Sequence, residues 1–425
     1  MGQILKSKMP NRQDQLVVAL DVGSTKVCCF VARVGVDNKI NILGMGNRIS
    51  KGVQNGVIVD MEQVEASIKA VVEMAERMAG ETVDDVIVSL SAGQPRSKVH
   101  EAFVPINGNG VEQTDIEKLL SQASNGIALS ERHLLHAFPA CYAVDSSIGV
   151  RDPRGMYGEK LSVALHVIDT AEGPVRNLHT CVARGHLNPS KMVLSPYASG
   201  LAALVEDEMD LGAACVDLGG GTTSVSVFAK HSMVYGNSIP QGGHDITKAI
   251  AKELLTPIEH AERLKTLHGS ATATRNDAQE PIDIPILGED EGDEDGHVRI
   301  QKSDLIDVIE PQVVDTLEKV AGFLQESGFD RVSGKRVVLT GGASLLPGLQ
   351  DLAQKILGKQ VRLGRPHGLH GLAENARGPA FSTCAGLLLY AVNAPLEMGE
   401  QQSLSVPSSK SAGLGGFTNW FRKSF

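Results

Sequence analysis

Apolar positions along this 425-residue chain alternate between short β-branched runs and longer stretches of helical spacing. Leu16 to Met45 is strand-rich. Val64, Ile68, Val71, Val72, Ala75 and Met78 then recur on one face of a helix that Asp60 caps and Gly80 stops. Val86 to Leu90 restarts a strand. From there to about Gly158 the character changes, with a helix over Asp115–Ser124, a strand over Cys141–Val144 and several short loops. That pattern predicts an inserted small α/β module. A strand over Leu161–Ile168, a helix over Pro174–Arg184, a strand over Lys191–Leu194 and a helix from Tyr197 to about Val205 follow. Later come helices over Asp245–Leu255 and Glu259–Leu267, a polar stretch from Gly269 to Gly296, and a helix over Lys302–Glu326 that Pro311 breaks or kinks. A strand at Arg336–Thr340, a helix after Pro347 and the apolar helix Ser382–Ala391 complete the globular part near Val392.

Two of the strand runs end in turns of the same kind. Leu16–Leu20 leads into Asp21-Val-Gly-Ser-Thr-Lys26, and Ala213–Val216 leads into Asp217-Leu-Gly-Gly-Gly-Thr-Thr223. A second β-branched run follows each, so each reads as a β-hairpin with a phosphate-sized tip. Glycines 23, 219, 220 and 221 let backbone N–H groups approach phosphate oxygens. Ser24, Thr25, Thr222 and Thr223 add hydroxyl donors, and Lys26 adds a point charge. Asp21 and Asp217 sit at strand ends, where a carboxylate can hold a hydrated Mg²⁺. One such turn alone reads as an ordinary tight hairpin. Two, each with its Asp, predict a duplicated α/β unit with a cleft between the copies. Gly341-Gly342, after the buried strand Arg336–Thr340, reads either as a strand-to-helix turn or as a backbone ledge for an adenine ring.

Bulk numbers narrow the function. The net charge is −10, which argues against a nucleic-acid binder. Apolar residues make up 42% and aromatic residues 4%, so a large aliphatic core is expected. No apolar run reaches bilayer length, and the first residues do not read as a secretory signal. The six cysteines have no metal-site spacing and read as small core residues of a reducing compartment. The acidic run Glu289–Asp295 reads as a solvated loop, with a Ca²⁺ site as the alternative.

The last stretch is different. A Ser/Gly/Pro/Gln-rich linker runs from Asn393 to about Gly413. Beyond it Leu414, Phe417, Trp420, Phe421 and Phe425 fall within an arc of roughly 140° at helical spacing. Arg422 and Lys423 lie on the opposite side. The only Trp and three of the ten Phe are here, which predicts an amphipathic helix lying on an anionic membrane surface. Docking on the protein's own core or on a partner are the other readings. So short a helix binds weakly alone, so lasting attachment calls for an oligomer.

On these residues the chain resembles the actin/Hsp70/sugar-kinase ATPase superfamily, and within it a bacterial cell-division family. The stretches Lys51–Asp60, Ala261–Gly269 and Asp307-Val-Ile-Glu-Pro311 match that family. The resemblance implies an actin-like duplicated ATPase fold. Its parts would be a first core half (13–85 and 159–196), an inserted subdomain (86–158), a second core half (197–228 and 310–392), a second small subdomain (229–309), a linker (393–413) and a membrane helix (414–425). It implies that Asp21 and Asp217 face Mg²⁺-ATP, that Gly23–Lys26 and Gly219–Thr223 cradle its phosphates, and that Glu262, Lys265 and Gly341-Gly342 border ribose and adenine. It also implies binding of the FtsZ C-terminal tail near Lys302, Asp307 and Glu310, actin-like filaments, and recruitment of other division proteins at the septum, on the cytoplasmic face of the inner membrane. One residue departs from the superfamily. Ser195 stands where an amide or carboxylate would flank the attacking water, and a hydroxyl is a poor general base, so slow or no hydrolysis is expected. A pilus-assembly actin-like protein and a small-molecule kinase are the alternatives. A kinase would need a catalytic Asp before the second loop, where the acidic run Glu206-Asp-Glu208 stands and reads as solvent-facing. A chaperone is not expected, because no peptide-binding domain follows Val392.

Overall fold

Each hairpin anchors its own sheet, and the sheets share one plan. A computed structural model describes residues 15–393 apart from 107–109, 128, 130, 287–296 and 329–335. β1 (Gln15–Val22), β2 (Lys26–Val34) and β3 (Ile40–Ile49) form a meander. The small hairpin β4 (Val53–Gln54) and β5 (Val57–Ile58) leads to α1 (Met61–Ala79) and β6 (Asp85–Leu90). An insert follows: β7 (Arg96–Pro105), α2 (Gln113–Asn125), β8 (Arg132–Val144), β9 (Ser147–Val150) and β10 (Lys160–Ala171). The chain returns through α3 (Glu172–Arg184), β11 (Asn188–Leu194) and α4 (Ser195–Ala203).

After α5 (Glu206–Leu211) the plan repeats with β12 (Ala213–Leu218), β13 (Thr223–Ala229) and β14 (Ser232–Ile239). Next come α6 (Gly243–Glu253), α7 (Ile258–His268), the hairpin β15 (Pro281–Pro285) and β16 (His297–Gln301), and α8 (Lys302–Glu326). The chain then runs through β17 (Arg336–Thr340), α9 (Leu349–Leu357), β18 (Gln360–Leu363), β19 (Leu369–His370) and α10 (Ser382–Asn393).

The first sheet has the order β11-β6-β1-β2-β3-β19 and the second β18-β17-β12-β13-β14. In each, three parallel strands are extended by an antiparallel meander. The central strands are buried on both faces, hence their continuous apolar runs. The halves meet through α4 and α10. A Cβ on Gly386 would stand 1.7 Å from the Ala198 carbonyl oxygen, so these helices touch backbone to backbone. Asp60 caps α1 by accepting from the Gln63 N–H at 3.0 Å, and Gly80 ends it at φ 70°.

Strand pairing moves the expected subdomain boundaries. β6 lies in the first core sheet between β1 and β11, so the insert begins after it rather than at 86. β10, expected in the core half from 159, is instead the strand of the insert that pairs with both β7 and β8. Its odd residues Leu161, Val163, Leu165 and Val167 pack with Ile116, Leu119 and Ala123 of α2. Its even residue Ile168 packs into the main core, which is why the run reads as a core strand. β14 belongs to the second core sheet, not to the small subdomain expected from 229. α8 crosses the expected boundary at 309/310 and runs through Pro311 unbroken. Pro311 is exposed, so the missing N–H bond falls on the solvent side while Ile309 and Val313 stay buried. The polar stretch from 269 includes β15. The acidic run 289–295, the linker and the tail helix lie outside the described residues.

Candidate functional site

Both hairpin tips open onto one cavity of about 350 Å³. Their turns are built alike. The Gly23 N–H donates to the Lys26 carbonyl at 3.0 Å, and the Gly219 N–H to that of Thr222 at 2.9 Å. Asp21 pairs with Cys28 across the first hairpin, and Asp217 with Ser224 across the second. Asp21, Gly23, Ser24, Thr25 and Lys26 line one wall; Asp217, Gly219, Gly220, Gly221 and Thr222 line the facing one. Thr223 is the exception. It is fully buried at the start of β13, while Thr222 and Ser224 face the cavity, as the two-residue period of a strand dictates.

The charged groups are held under tension. Asp217 is buried and accepts from Thr383 Oγ1 at 3.0 Å; burial pushes its carboxyl up to about 6. Burial likewise raises Asp21, whose Oδ1 accepts from Ser89 Oγ at 2.6 Å. Lys26 Nζ is out of contact with solvent and, among the described residues, has no hydrogen-bond partner. It lies 3.1 Å from the centroid of the Phe381 ring, and burial lowers its pKa. Two buried carboxylates with one ammonium near them suit a ligand carrying both a divalent metal and anionic oxygens.

Glu262 and Lys265 also line the cavity. Lys265 Nζ donates to Glu262 Oε2 at 2.7 Å, to Thr247 Oγ1 at 2.7 Å and to the Gly243 carbonyl at 3.0 Å. Facing them are Gly341, Gly342 and Ala343, with Leu345, Leu346 and Pro347 behind. Gly341 has φ 84°, and a Cβ there would stand 2.3 Å from Asp217 Oδ1. A side chain would fill the cradle. Ser195, at the start of α4, is buried and lines the cavity.

Several residues that shape the site were not foreseen. His244 lines the cavity and lies 3.2 Å from Thr25 Oγ1 of the other half; burial, with Lys265 beside it, lowers its pKa. Ser89, Thr383 and Phe381 support Asp21, Asp217 and Lys26 from remote segments. None of the three belongs to a motif; Ser89 stands one residue before the end of β6. Lys302, Asp307 and Glu310 do not join the cavity. Lys302 Nζ pairs with Asp277 Oδ1 and Glu280 Oε2, both at 3.1 Å, at the start of α8. Among the described residues no cluster of three or more metal-ligating side chains is formed. Leu414, Phe417, Trp420, Phe421, Arg422, Lys423 and Phe425 lie outside the described residues.

Two copies of one α/β plan, closing on a glycine-walled cavity, define an actin-like ATPase fold. The PilM–PilN type IV pilus biogenesis complex shares it, with TM-score 0.62 at 18% identity over 89% of this chain and 98% of that one. So does MreB5 of Spiroplasma citri bound to ADP, with TM-score 0.51 at 14% identity over 90% and 97%. The model for cell division protein FtsA matches residues 214–386, and that for the SHS2 domain inserted in FtsA matches residues 92–169, the insert seen here. Cell division protein FtsA of Rhizobium meliloti is 44% identical over 92% of this chain and 90% of its own length. That of Agrobacterium fabrum is 42% identical over 98% and 96%, and that of Escherichia coli 30% over 97% and 98%. The chain belongs to the FtsA family of actin-like cell-division proteins.

Proposed function

We propose that this chain binds ATP with Mg²⁺ in the cleft, polymerises on the inner face of the cytoplasmic membrane at the septum, ties FtsZ filaments to it and helps recruit later division proteins. The observation that carries the nucleotide reading is the convergence of two matching hairpin tips around Lys26 Nζ, which has no hydrogen-bond partner among the described residues. The solved MreB5 relative, which shares the fold, is bound to ADP. Glycines 23, 219, 220 and 221, with Ser24, Thr25 and Thr222, bind the phosphates. Asp21 and Asp217 hold the hydrated metal. Bound Mg²⁺ would offset phosphate charge and the cost of keeping both carboxylates ionised. Glu262 and Lys265 border the ribose, and Gly341-Gly342 the adenine.

Hydrolysis is slow in this reading, because Ser195 offers the attacking water only a hydroxyl. A single-turnover assay in which phosphate appears within seconds would overturn that. Lys302, Asp307 and Glu310 offer a surface to the FtsZ tail, on which Asp307 is exposed and Lys302 would exchange its present carboxylate partners. No helix among the described residues is long and apolar enough to cross a membrane, so the grip is assigned to Leu414–Phe425. Deleting residues 412–425 should abolish sedimentation with anionic liposomes in the presence of ATP. Unchanged sedimentation would refute the tether. A pilus-assembly role and a small-molecule kinase are not favoured, because kinship along the whole chain lies with FtsA and the pilus likeness is one of fold alone.

A further inference from the structure

The β4–β5 turn reaches across the cleft without lining it. Asn55 and Gly56 form this Asn-Gly hairpin turn with φ 48° and 78°. The Asn55 Nδ2 donates at 2.6 Å to the carbonyl of Pro240 in the other half and lies 3.5 Å from Asp245 Oδ2. The Gly56 N–H donates to Ser24 Oγ at 2.9 Å, in the first hairpin tip. Thr222 of the second tip would meet a Cβ on Gly56 at 2.8 Å through its Cγ2. A Cβ on Gly221 would stand 2.9 Å from the Asn55 Cα. One four-residue turn thus touches both tips and the start of α6. Asp245 in turn holds that start, accepting from the Gly242 N–H at 2.8 Å, and the Gly243 and His244 N–H groups donate to the carbonyls of Gly219 and Gly220.

We propose that Asn55 is a positioning residue, a latch whose side-chain amide holds the second half against the first and so slows the opening of the cleft. It is not among the residues that line the cavity, and the prediction about release rests on the nucleotide reading above. The backbone does not depend on the side chain, because glycine adopts φ 48° freely. Asn55→Gly therefore removes the amide and leaves the turn. Asn38→Gly is the control, since Asn38 has φ 59° in the exposed β2–β3 turn away from the cleft.

The experiment uses the full chain and a fluorescent N-methylanthraniloyl-ATP, displaced by excess ATP. With one neutral hydrogen bond lost, N55G should release it about three- to tenfold faster than wild type, and N38G at the wild-type rate. Asn55→Asp, which cannot donate, should not restore the slow rate. Amide hydrogen exchange without nucleotide gives the second readout: residues 241–246 should exchange faster in N55G at an unchanged melting temperature. Wild-type release together with wild-type exchange in N55G would overturn the latch. Failure of wild type to bind the probe would overturn the nucleotide reading instead, and exchange over 241–246 would still decide the latch.

Discussion

Gly220 faces Thr25 so closely that a Cβ on the glycine would stand 1.7 Å from Thr25 Oγ1. The contact is reciprocal. Aligning Asp21 with Asp217 makes Gly221 the counterpart of Thr25 and Ser24 the counterpart of Gly220, and a Cβ on Gly221 would stand 2.4 Å from Ser24 Oγ. Each tip meets the other with the same pair of positions, as subunits do across a two-fold interface. Gly220→Ala should therefore push the halves apart, costing about 1–3 kcal/mol and weakening nucleotide binding. Adding Thr25→Ala removes the oxygen but leaves a Cβ at 3.0 Å, so the double variant should recover part of the stability in urea titrations. No recovery would show that the strain lies elsewhere.

Lys26→Met should separate the site from the scaffold. The ammonium is enclosed and makes no hydrogen bond among the described residues, so an apolar chain of similar length removes a desolvation cost. Without nucleotide the variant should melt at or above the wild-type temperature. ATP affinity by calorimetry should fall at least about tenfold, the loss of a charge-assisted contact. A variant that binds ATP normally would remove Lys26 from the phosphate site.

The helix crossing should be intolerant of bulk. Gly386→Ala places a methyl 1.7 Å from the Ala198 carbonyl, and neither backbone can yield cheaply. A loss of about 2–4 kcal/mol or failure to fold is expected, while Gly322→Ala on α8, where a Cβ meets nothing within 4 Å, should stabilise slightly. Equal melting temperatures for the two variants would contradict the packing.

His166 should make the chain acid-sensitive. It is buried in β10, 3.1 Å from Ser97 Oγ, and burial lowers its pKa from 6.5 to about 4. Between those values the unfolded chain binds a proton that the folded chain refuses. Its contribution is therefore intact above pH 6.5 and lost as pH falls toward 4. From pH 7 to pH 5 that loss is about 2 kcal/mol. His166→Gln, though less stable overall, should lose that much less over the same interval. Parallel slopes for both proteins in urea titrations would show that His166 is not the group responsible.

The hairpins were legible because everything that makes them is local: an Asp, a glycine-rich turn and β-branched flanks within a dozen residues. Thr223 was misread for a local reason too, since composition does not say which face of a strand a residue takes, whereas the two-residue period does. Ser89, Thr383, Phe381 and His244 were not legible, because each reaches the cleft from a distant segment and none belongs to a motif. The subdomain boundaries failed on a different ground. β6 and β10 carry similar apolar runs, and a run shows that a strand is buried without showing which sheet buries it. Pro311 misled because its cost depends on which side of α8 the missing bond falls.

The two tips are alike in shape but not in charge. Where the first carries Lys26, the second carries Thr222 at the matching position. A symmetric pair of loops would accept a polyphosphate in either direction. With Lys26 on the first tip and an uncharged residue on the second, the two tips are not interchangeable, and a polyphosphate bound between them would meet an ammonium from one tip only. Among the differences between the two copies, the exchange of Lys26 for Thr222 is the one that makes their charge unequal.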